Sequence, residues 1–382
     1  MTSLPPRLDA VAGKAGQLAQ RLREHALHFR TGVVADPRFL RWASRFPLTR
    51  RHARRQSRAL FDLSAGFVYS QVLSACVKLD MFERLRAGPR TPEDLAAETG
   101  LAAPAARRLL LAAVSLNLLR ALPHGRFGLA DLGAVILGNP GVAAFVAHHD
   151  LLYDDLVDPV ALLRGEAQTK LARFWPYSAD PDGDAVAPYS ALMARTQALL
   201  AEDILDAYRL ARHRTLMDVG GGEGAFLEAV AERAPYLKLM LVDLPPVAER
   251  ARTRLARVAD RVAVHGADIL KDPLPAGADV ATLVRVLHDL DDEAARTLLK
   301  AVCDALPRGG AIVVAEPMAG VPGAEPMGDA YFGFYLLAMG RGQPRRPQEI
   351  VELLEEAGFS GVGPLRSRDP LLVSVVMGVR RV

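Results

Sequence analysis

With 382 residues, 50% hydrophobic and 24% charged, the chain is long enough for two domains and has an ordinary globular composition. Its 47 Lys+Arg against 44 Asp+Glu leave a formal net charge of +3, so no global field demands a nucleic-acid partner. The two cysteines, Cys76 and Cys303, form neither a disulfide framework nor a metal knuckle; they read as buried thiols of a reducing cytoplasm.

The start lacks the charged-then-apolar pattern of a signal peptide, and no uninterrupted apolar run reaches the roughly 20 residues that span a bilayer. The expectation is a soluble cytoplasmic protein or one peripheral on the inner membrane. Residues 1–58 form a basic, partly helical extension. In it Arg38, Arg41, Arg45, Arg50, Arg51, Arg54, Arg55 and Arg58 interleave with Phe39, Trp42 and Phe46. This pattern suits a foot on an anionic membrane or a wrapped partner. It equally suits a solvated helix face whose arginines cover apolar surface.

Residues 59–140 read as a compact helical module. Leu60–Leu85 has helical apolar spacing, and Thr91-Pro-Glu-Asp94 is a helix start with a capping hydroxyl, proline and early acids. Gly100 ends that helix, Ala103–Leu119 gives another, and Pro123-His-Gly125 turns the chain into a small hairpin. The layout is that of a winged helix. Arg107 and Arg108 on the second helix raise a DNA-binding regulator as one reading. The helix is otherwise mostly Ala, Leu and Val, which favours a packing or dimerisation module with no nucleic acid bound.

Residues 141–210 are mainly helical and carry Phe174-Trp-Pro-Tyr177, either a roof over a ligand pocket or a helix junction. From residue 211 the pattern becomes α/β. Strands are predicted at Thr215–Val219, Lys238–Val242, Val262–His265, Val280–Leu287 and Ala311–Ala315, with helices between them, as in a doubly wound Rossmann-like parallel sheet. The last two strands, Gly363–Arg366 and Leu371–Gly378, are too close for a crossover helix and should pair antiparallel.

Leu216-Met-Asp-Val-Gly-Gly-Gly-Glu-Gly-Ala-Phe226 is a strand, a glycine-rich turn and a helix start, in which the backbone of Gly220 and Gly222 approaches a ligand closely. The spacing also meets a relaxed dinucleotide fingerprint, so an NAD oxidoreductase is a rival. Against it stands Asp218 beside the turn, where a carboxylate opposes a pyrophosphate but suits the ammonium and sulfonium of S-adenosyl-L-methionine (SAM). Asp243 closes the next strand and is placed to accept from ribose hydroxyls. Asp268 follows the third strand, facing the adenine amino group, with Ile269 offering an apolar face to the ring. Each acid is otherwise a loop carboxylate capping a helix. On this reading the cofactor is SAM, leaving as S-adenosyl-L-homocysteine (SAH).

The fourth strand runs into His288 and the fifth ends at Glu316, two ends that border one crevice in a doubly wound sheet. His288 is the natural base near neutral pH, and Glu316 bonded to its other nitrogen would fix the tautomer. A substrate hydroxyl would lose its proton to His288 as its oxygen takes the methyl group in line. His148, His149 and His265 read as structural, and Asp289, Asp291, Asp292 and Glu293 as caps of the next helix. No residue set has metal spacing. Trp175, Met193, Phe332, Tyr335 and Met339 are candidates for lining the substrate pocket, the last three on the apolar stretch Tyr331–Met339; core packing is the alternative.

From about residue 60 onward these motifs resemble the plant and bacterial O-methyltransferase family that includes caffeate and hydroxyindole enzymes. The resemblance implies a class I SAM domain, a winged-helix-like dimerisation domain and a homodimer. The family's base lies in a His-Asp-Trp segment; here it is His288-Asp289-Leu290, without the tryptophan. A second glutamate often precedes the family's final helix, but Gly340-Arg-Gly-Gln-Pro-Arg-Arg-Pro347 has none, leaving Glu316 as the matched partner. More narrowly, the basic extension and Asp150–Pro159 resemble the demethylspheroidene (hydroxyneurosporene) O-methyltransferases of carotenoid biosynthesis in purple photosynthetic bacteria. That implies an apolar substrate with a tertiary hydroxyl, the wider family a phenol, quinone or polyketide.

Overall fold

The apolar runs beyond residue 214 close into a single sheet. The computed structural model describes residues 6–174, 197, 200–371 and 373–381. A small antiparallel ladder, β1 (Leu119–Leu122) with β2 (Arg126–Leu129), comes first. The main sheet holds β3 (Thr215–Val219), β4 (Lys238–Asp243), β5 (Val262–Gly266), β6 (Val280–Val284), β7 (Ala311–Glu316), β8 (Phe359–Leu365) and β9 (Ser374–Arg380). Their order is β5-β4-β3-β6-β7-β9-β8. β3 to β7 are parallel, while β9 runs antiparallel to both β7 and β8.

Every residue of β6 and β7 is buried, which is why both read as unbroken apolar runs rather than alternating ones. One face of the sheet packs against the helices Asp292–Ala305 and Pro347–Ala357 through Leu298, Val302, Ile350 and Leu354. The other packs against the helices Ala225–Arg233 and Pro245–Arg254 and against Leu200, Ile204 and Leu205.

β6 is shorter than the sequence predicts. It ends at Val284 because Arg285 takes φ +59°, a left-handed conformation that breaks the ladder and leads into the 3₁₀ turn Leu287–Asp289. The closing hairpin is also longer than predicted. β8 starts directly after Gly358, which caps the preceding helix at φ +106°.

The chain divides into two compact units, residues up to Leu73 and residues from Ser74 onward. The helices α1 (Pro6–Ala35), α2 (Pro37–Arg45) and most of α3 (Arg50–Lys78) make the first. α3 runs unbroken through residues 58 and 59, where the composition changes. It contains a window long and apolar enough to cross a membrane. Ser, Gly, Gln and Tyr interrupt the apolar run there but bring little charge, so the absence of a span expected from the unbroken-run criterion does not hold by length and composition.

In the second unit α4 (Met81–Arg84), α5 (Pro92–Thr99), α6 (Ala103–Ser115), β1 and β2 give the predicted helix, helix and hairpin. Thr91 and Asp94 form a reciprocal capping box at the start of α5, and Gly100 ends it at φ +71°. The helices α7 (Asp131–Leu137), α8 (Pro140–Asp155), α9 (Pro159–Leu163) and α10 (Lys170–Phe174) follow.

Candidate active site

The glycine turn sits where the strand order reverses, at the C-terminal ends of β3 and β6. Gly220 has φ +70°, and a Cβ there would lie 2.8 Å from Val286 Cγ2; one on Gly221 would lie 2.7 Å from Asp218 Oδ2. Neither position admits a side chain. Gly222, by contrast, faces open space. In front of the turn lies a cleft of about 230 Å³, lined by Gly220, Gly222, Asp243, Asp268 and Ile269 together with Arg285, Asp289 and Arg341.

The three predicted acids differ in setting. Asp218 is fully buried behind the turn; Oδ1 accepts the Thr282 hydroxyl at 2.6 Å, and Oδ2 has no hydrogen-bond partner among the described residues. Burial pushes its carboxyl up to about 7. Asp243 is locked by the turn itself, accepting the Gly222 N–H at 2.7 Å and the Leu244 N–H at 2.8 Å. Burial again dominates, and its carboxyl rises to about 6. Asp268 accepts the Leu270 N–H and pairs with Lys271, the loop role that its position also allowed. A close-approach glycine wall, an orphaned carboxyl oxygen behind it and a cleft lined by Asp243, Asp268 and Asp289 together with Lys271, Arg285 and Arg341 fit a ligand that carries both signs of charge, such as SAM.

His288 and Glu316 do come together, but not ring to carboxylate. Glu316 Oε2 accepts the His288 backbone N–H at 3.1 Å, while Glu316 Oε1 and His288 Nδ1 have no hydrogen-bond partner among the described residues. The carboxylate beside the ring is Asp289, whose Oδ1 lies 3.3 Å from Nε2. The expected bond between Glu316 and the second ring nitrogen is therefore replaced. Asp289 reaches the ring because the 3₁₀ turn folds it back, whereas Glu316, at the end of β7, meets the main chain first. Burial, then the Arg285 and Arg345 guanidiniums, lower His288 to about 3, with the Arg285 backbone pulling the other way. Burial raises Asp289 to about 7 and Glu316 to about 8.

The sequence pattern makes Asp289 one of four candidate caps of the next helix. In the structure Asp291 is that cap, accepting the Ala294 N–H at 2.8 Å. Nothing in a run of four acids says which one turns inward.

On the far side of His288, its ring lies 5.7 Å from that of Phe332. Phe332, Tyr335 and Met339 are buried, and Tyr335 and Met339 pack with Leu152, Leu162 and Leu171. None of the three lines the cleft described above. Two histidines read as structural lie beside this group: His148 Nε2 is 2.7 Å from the Tyr335 hydroxyl and His149 Nε2 is 2.8 Å from that of Tyr331. Burial lowers both imidazoles, His148 to about 4. Trp175 and Met193 lie outside the described residues.

Residues 153–360 match the O-methyltransferase domain and residues 61–139 the O-methyltransferase dimerisation domain, which supports a homodimer. The demethylspheroidene O-methyltransferase of Cereibacter sphaeroides is 48% identical, over 91% of this chain and 93% of the relative. That of Rhodobacter capsulatus is 40% identical, over 97% and 93%. Human N-acetylserotonin methyltransferase in complex with SAM superposes with a TM-score of 0.72 at 25% identity, covering 86% of this chain and 98% of that one. A calicheamicin-biosynthesis methyltransferase in its SAH-bound form gives 0.71 at 29%, covering 85% and 98%. With the closing antiparallel hairpin, the glycine turn and its acids accounted for, the chain belongs to the SAM-dependent O-methyltransferase family.

Proposed function

We propose that the substrate is a carotenoid with a tertiary hydroxyl, of the demethylspheroidene or hydroxyneurosporene type, and that His288 is the general base. The observation that carries the substrate is the 48% and 40% identity to two demethylspheroidene O-methyltransferases along more than nine-tenths of the chain. Similarity sustained over that span includes the helical region before the sheet, not the cofactor domain alone.

Bound SAM supplies an electrophilic methyl group on a sulfonium. Asp218, Gly220, Gly222, Asp243, Asp268 and Ile269 are the residues proposed to hold it: Asp243 toward the ribose, Asp268 and Ile269 toward the adenine. Burial keeps His288 neutral in the ligand-free protein. Nε2 is the ring nitrogen beside Asp289, which lines the cleft. His288 would take the substrate's hydroxyl proton, and Asp289, 3.3 Å from Nε2, would balance the imidazolium. Glu316 fixes the turn that carries the ring. Phe332, Tyr335 and Met339 back the acceptor side.

The test is to incubate the pure protein with methyl-labelled SAM and a panel of hydroxycarotenoids and phenols. Label in a tertiary-hydroxy carotenoid is the expected result. Label in a phenol alone would sink the substrate while leaving the class intact.

We also infer that the protein is cytoplasmic and rests on the anionic inner face of the membrane. Trp42, 51% exposed, stacks on Phe46 at 5.0 Å beside Phe39 at 5.7 Å. Eight arginines lie between residues 38 and 58 with no acid among them. Exposed aromatics amid guanidiniums match an interfacial helix. Co-sedimentation with phosphatidylglycerol vesicles, lost in Trp42→Ala with Arg41→Glu and Arg45→Glu, is expected. Equal recovery with neutral vesicles, or no binding, would refute it.

A further inference from the structure

Arg345 is only 2% exposed. Burying a guanidinium costs several kcal/mol unless its donors are all placed. Here Nη1 donates to the Leu287 carbonyl at 2.6 Å, and Nη2 to the Leu290 carbonyl and Asp292 Oδ1, both at 2.8 Å. Nε reaches the same Asp292 oxygen at 3.1 Å. These acceptors flank His288 on both sides. Within the turn the Leu287 carbonyl also accepts the Leu290 N–H at 3.1 Å, so Arg345 adds a second donor there.

The residues just before Arg345 complete the grip. The Gln343 N–H donates to the His288 carbonyl at 2.9 Å. Gly342, at φ +78°, lies so close that a Cβ would sit 2.2 Å from the same oxygen. From the sheet side Glu316 takes the His288 N–H, and the Ala319 N–H anchors the Arg345 carbonyl at 2.9 Å. Both main-chain groups of His288 and the carbonyls of Leu287 and Leu290 are therefore held from outside the turn.

We propose that Arg345 is a positioning residue for methyl transfer, which together with Gly342 and Gln343 holds the turn so that the His288 ring keeps one orientation beside Asp289. The proposal rests on His288 as the base, and its test separates the two.

Full-length Arg345→Lys keeps the charge but not the planar fork. Its kcat should fall about 10- to 100-fold, since small misplacements of a catalytic group cost rates of that order. The KM for the acceptor and the affinity for SAM should stay within about threefold, because Arg345 does not line the cleft. In ¹⁵N-histidine NMR spectra of the ligand-free protein, assigned with His288→Gln, the single His288 signal should broaden or split. Asp292→Ala, which removes one of the three acceptors at a half-exposed site, should give a smaller change in the same direction. It decides the matter if Arg345→Lys does not fold.

A folded variant with parental kcat and an unchanged His288 signal would overturn the proposal. So would a loss of rate that merely follows the loss of folded protein. Retention of methyl transfer in His288→Gln would remove the base instead, while the NMR response to Arg345→Lys would still report whether the clamp orients the ring.

Discussion

Glu316 binds the main chain of His288, and Asp289 stands at its ring. The two carboxyl groups thus divide between them what sequence reading assigns to one: the first takes the main-chain N–H of the turn, the second lies 3.3 Å from the ring's Nε2. Their separation gives each a distinct expected phenotype.

Replacing His288 by Gln or Ala should lower kcat by about 10²- to 10⁴-fold, the usual contribution of a positioned base. Binding of SAM, measured by calorimetry, should change little, because the imidazole is absent from the cleft lining. Methyl transfer at parental rate would remove His288 from the chemistry.

Asp289→Asn should slow turnover by at least about tenfold while leaving the fold intact. Glu316→Gln should be milder, because an amide oxygen still accepts the His288 N–H. Glu316→Ala leaves that buried N–H without a partner and should destabilise by roughly 1–3 kcal/mol in denaturant titrations. If Glu316→Gln proves as slow as Asp289→Asn, the division of roles is wrong.

The glycines make a second pair of contrasts. Gly220→Ala meets Val286 at 2.8 Å and carries a left-handed φ, so both the melting temperature and SAM affinity should drop. Gly222→Ala has the strained φ but no clash, and its methyl would project into open space. Affinity should suffer there far more than stability. Equal melting losses would contradict the local geometry.

Stability should depend on pH in a defined window. Asp218, Asp243, Asp289 and Glu316 all have raised carboxyl pKa values, at about 7, 6, 7 and 8. The folded state binds those protons more tightly than the unfolded state. Their contribution is complete below the ordinary carboxylate range and is lost as pH rises through the folded values. His288 and His148, lowered to about 3 and 4, act in the opposite sense, adding stability as pH rises toward 6.5. Around His288 the opposing groups are Arg285, Arg345, Asp289 and Glu316. Four carboxyls outweigh two imidazoles, so the ligand-free protein should lose melting temperature from about pH 4.5 to 7, then more gently to about pH 8 as Glu316 alone titrates. Glu316→Gln should flatten the upper limb, and a rising limb there would show the burial argument to be mistaken.

The sheet was legible because alternation of apolar runs with helical segments leaves few topologies, and the Ser367-Arg-Asp-Pro370 link admits only a hairpin. The site was legible down to its residue types but not to its bonds. Arg285 offered no glycine to announce a left-handed turn, so β6 looked three residues longer than it is. Arg345 sat in a Pro- and Arg-rich stretch of the kind usually solvated, and only its position over three acceptors makes it core. His148 and His149 lay in an apolar helix whose tyrosine partners are more than 180 residues away in sequence. Pairings of that range are set by tertiary packing, and local pattern carries no trace of them.

The place of β9 between β7 and β8 has a consequence for how the protein is made. β8 leaves the ribosome first, yet its only neighbour in the sheet is β9. Until β9 has emerged and slotted against β7, β8 is an unpaired edge and β7 shows its bare side to solvent. The catalytic half therefore has to wait, nearly complete, for one seven-residue segment. During that interval the nascent chain is a natural client for chaperones, and slowing translation just upstream of Ser374 should lengthen its exposure.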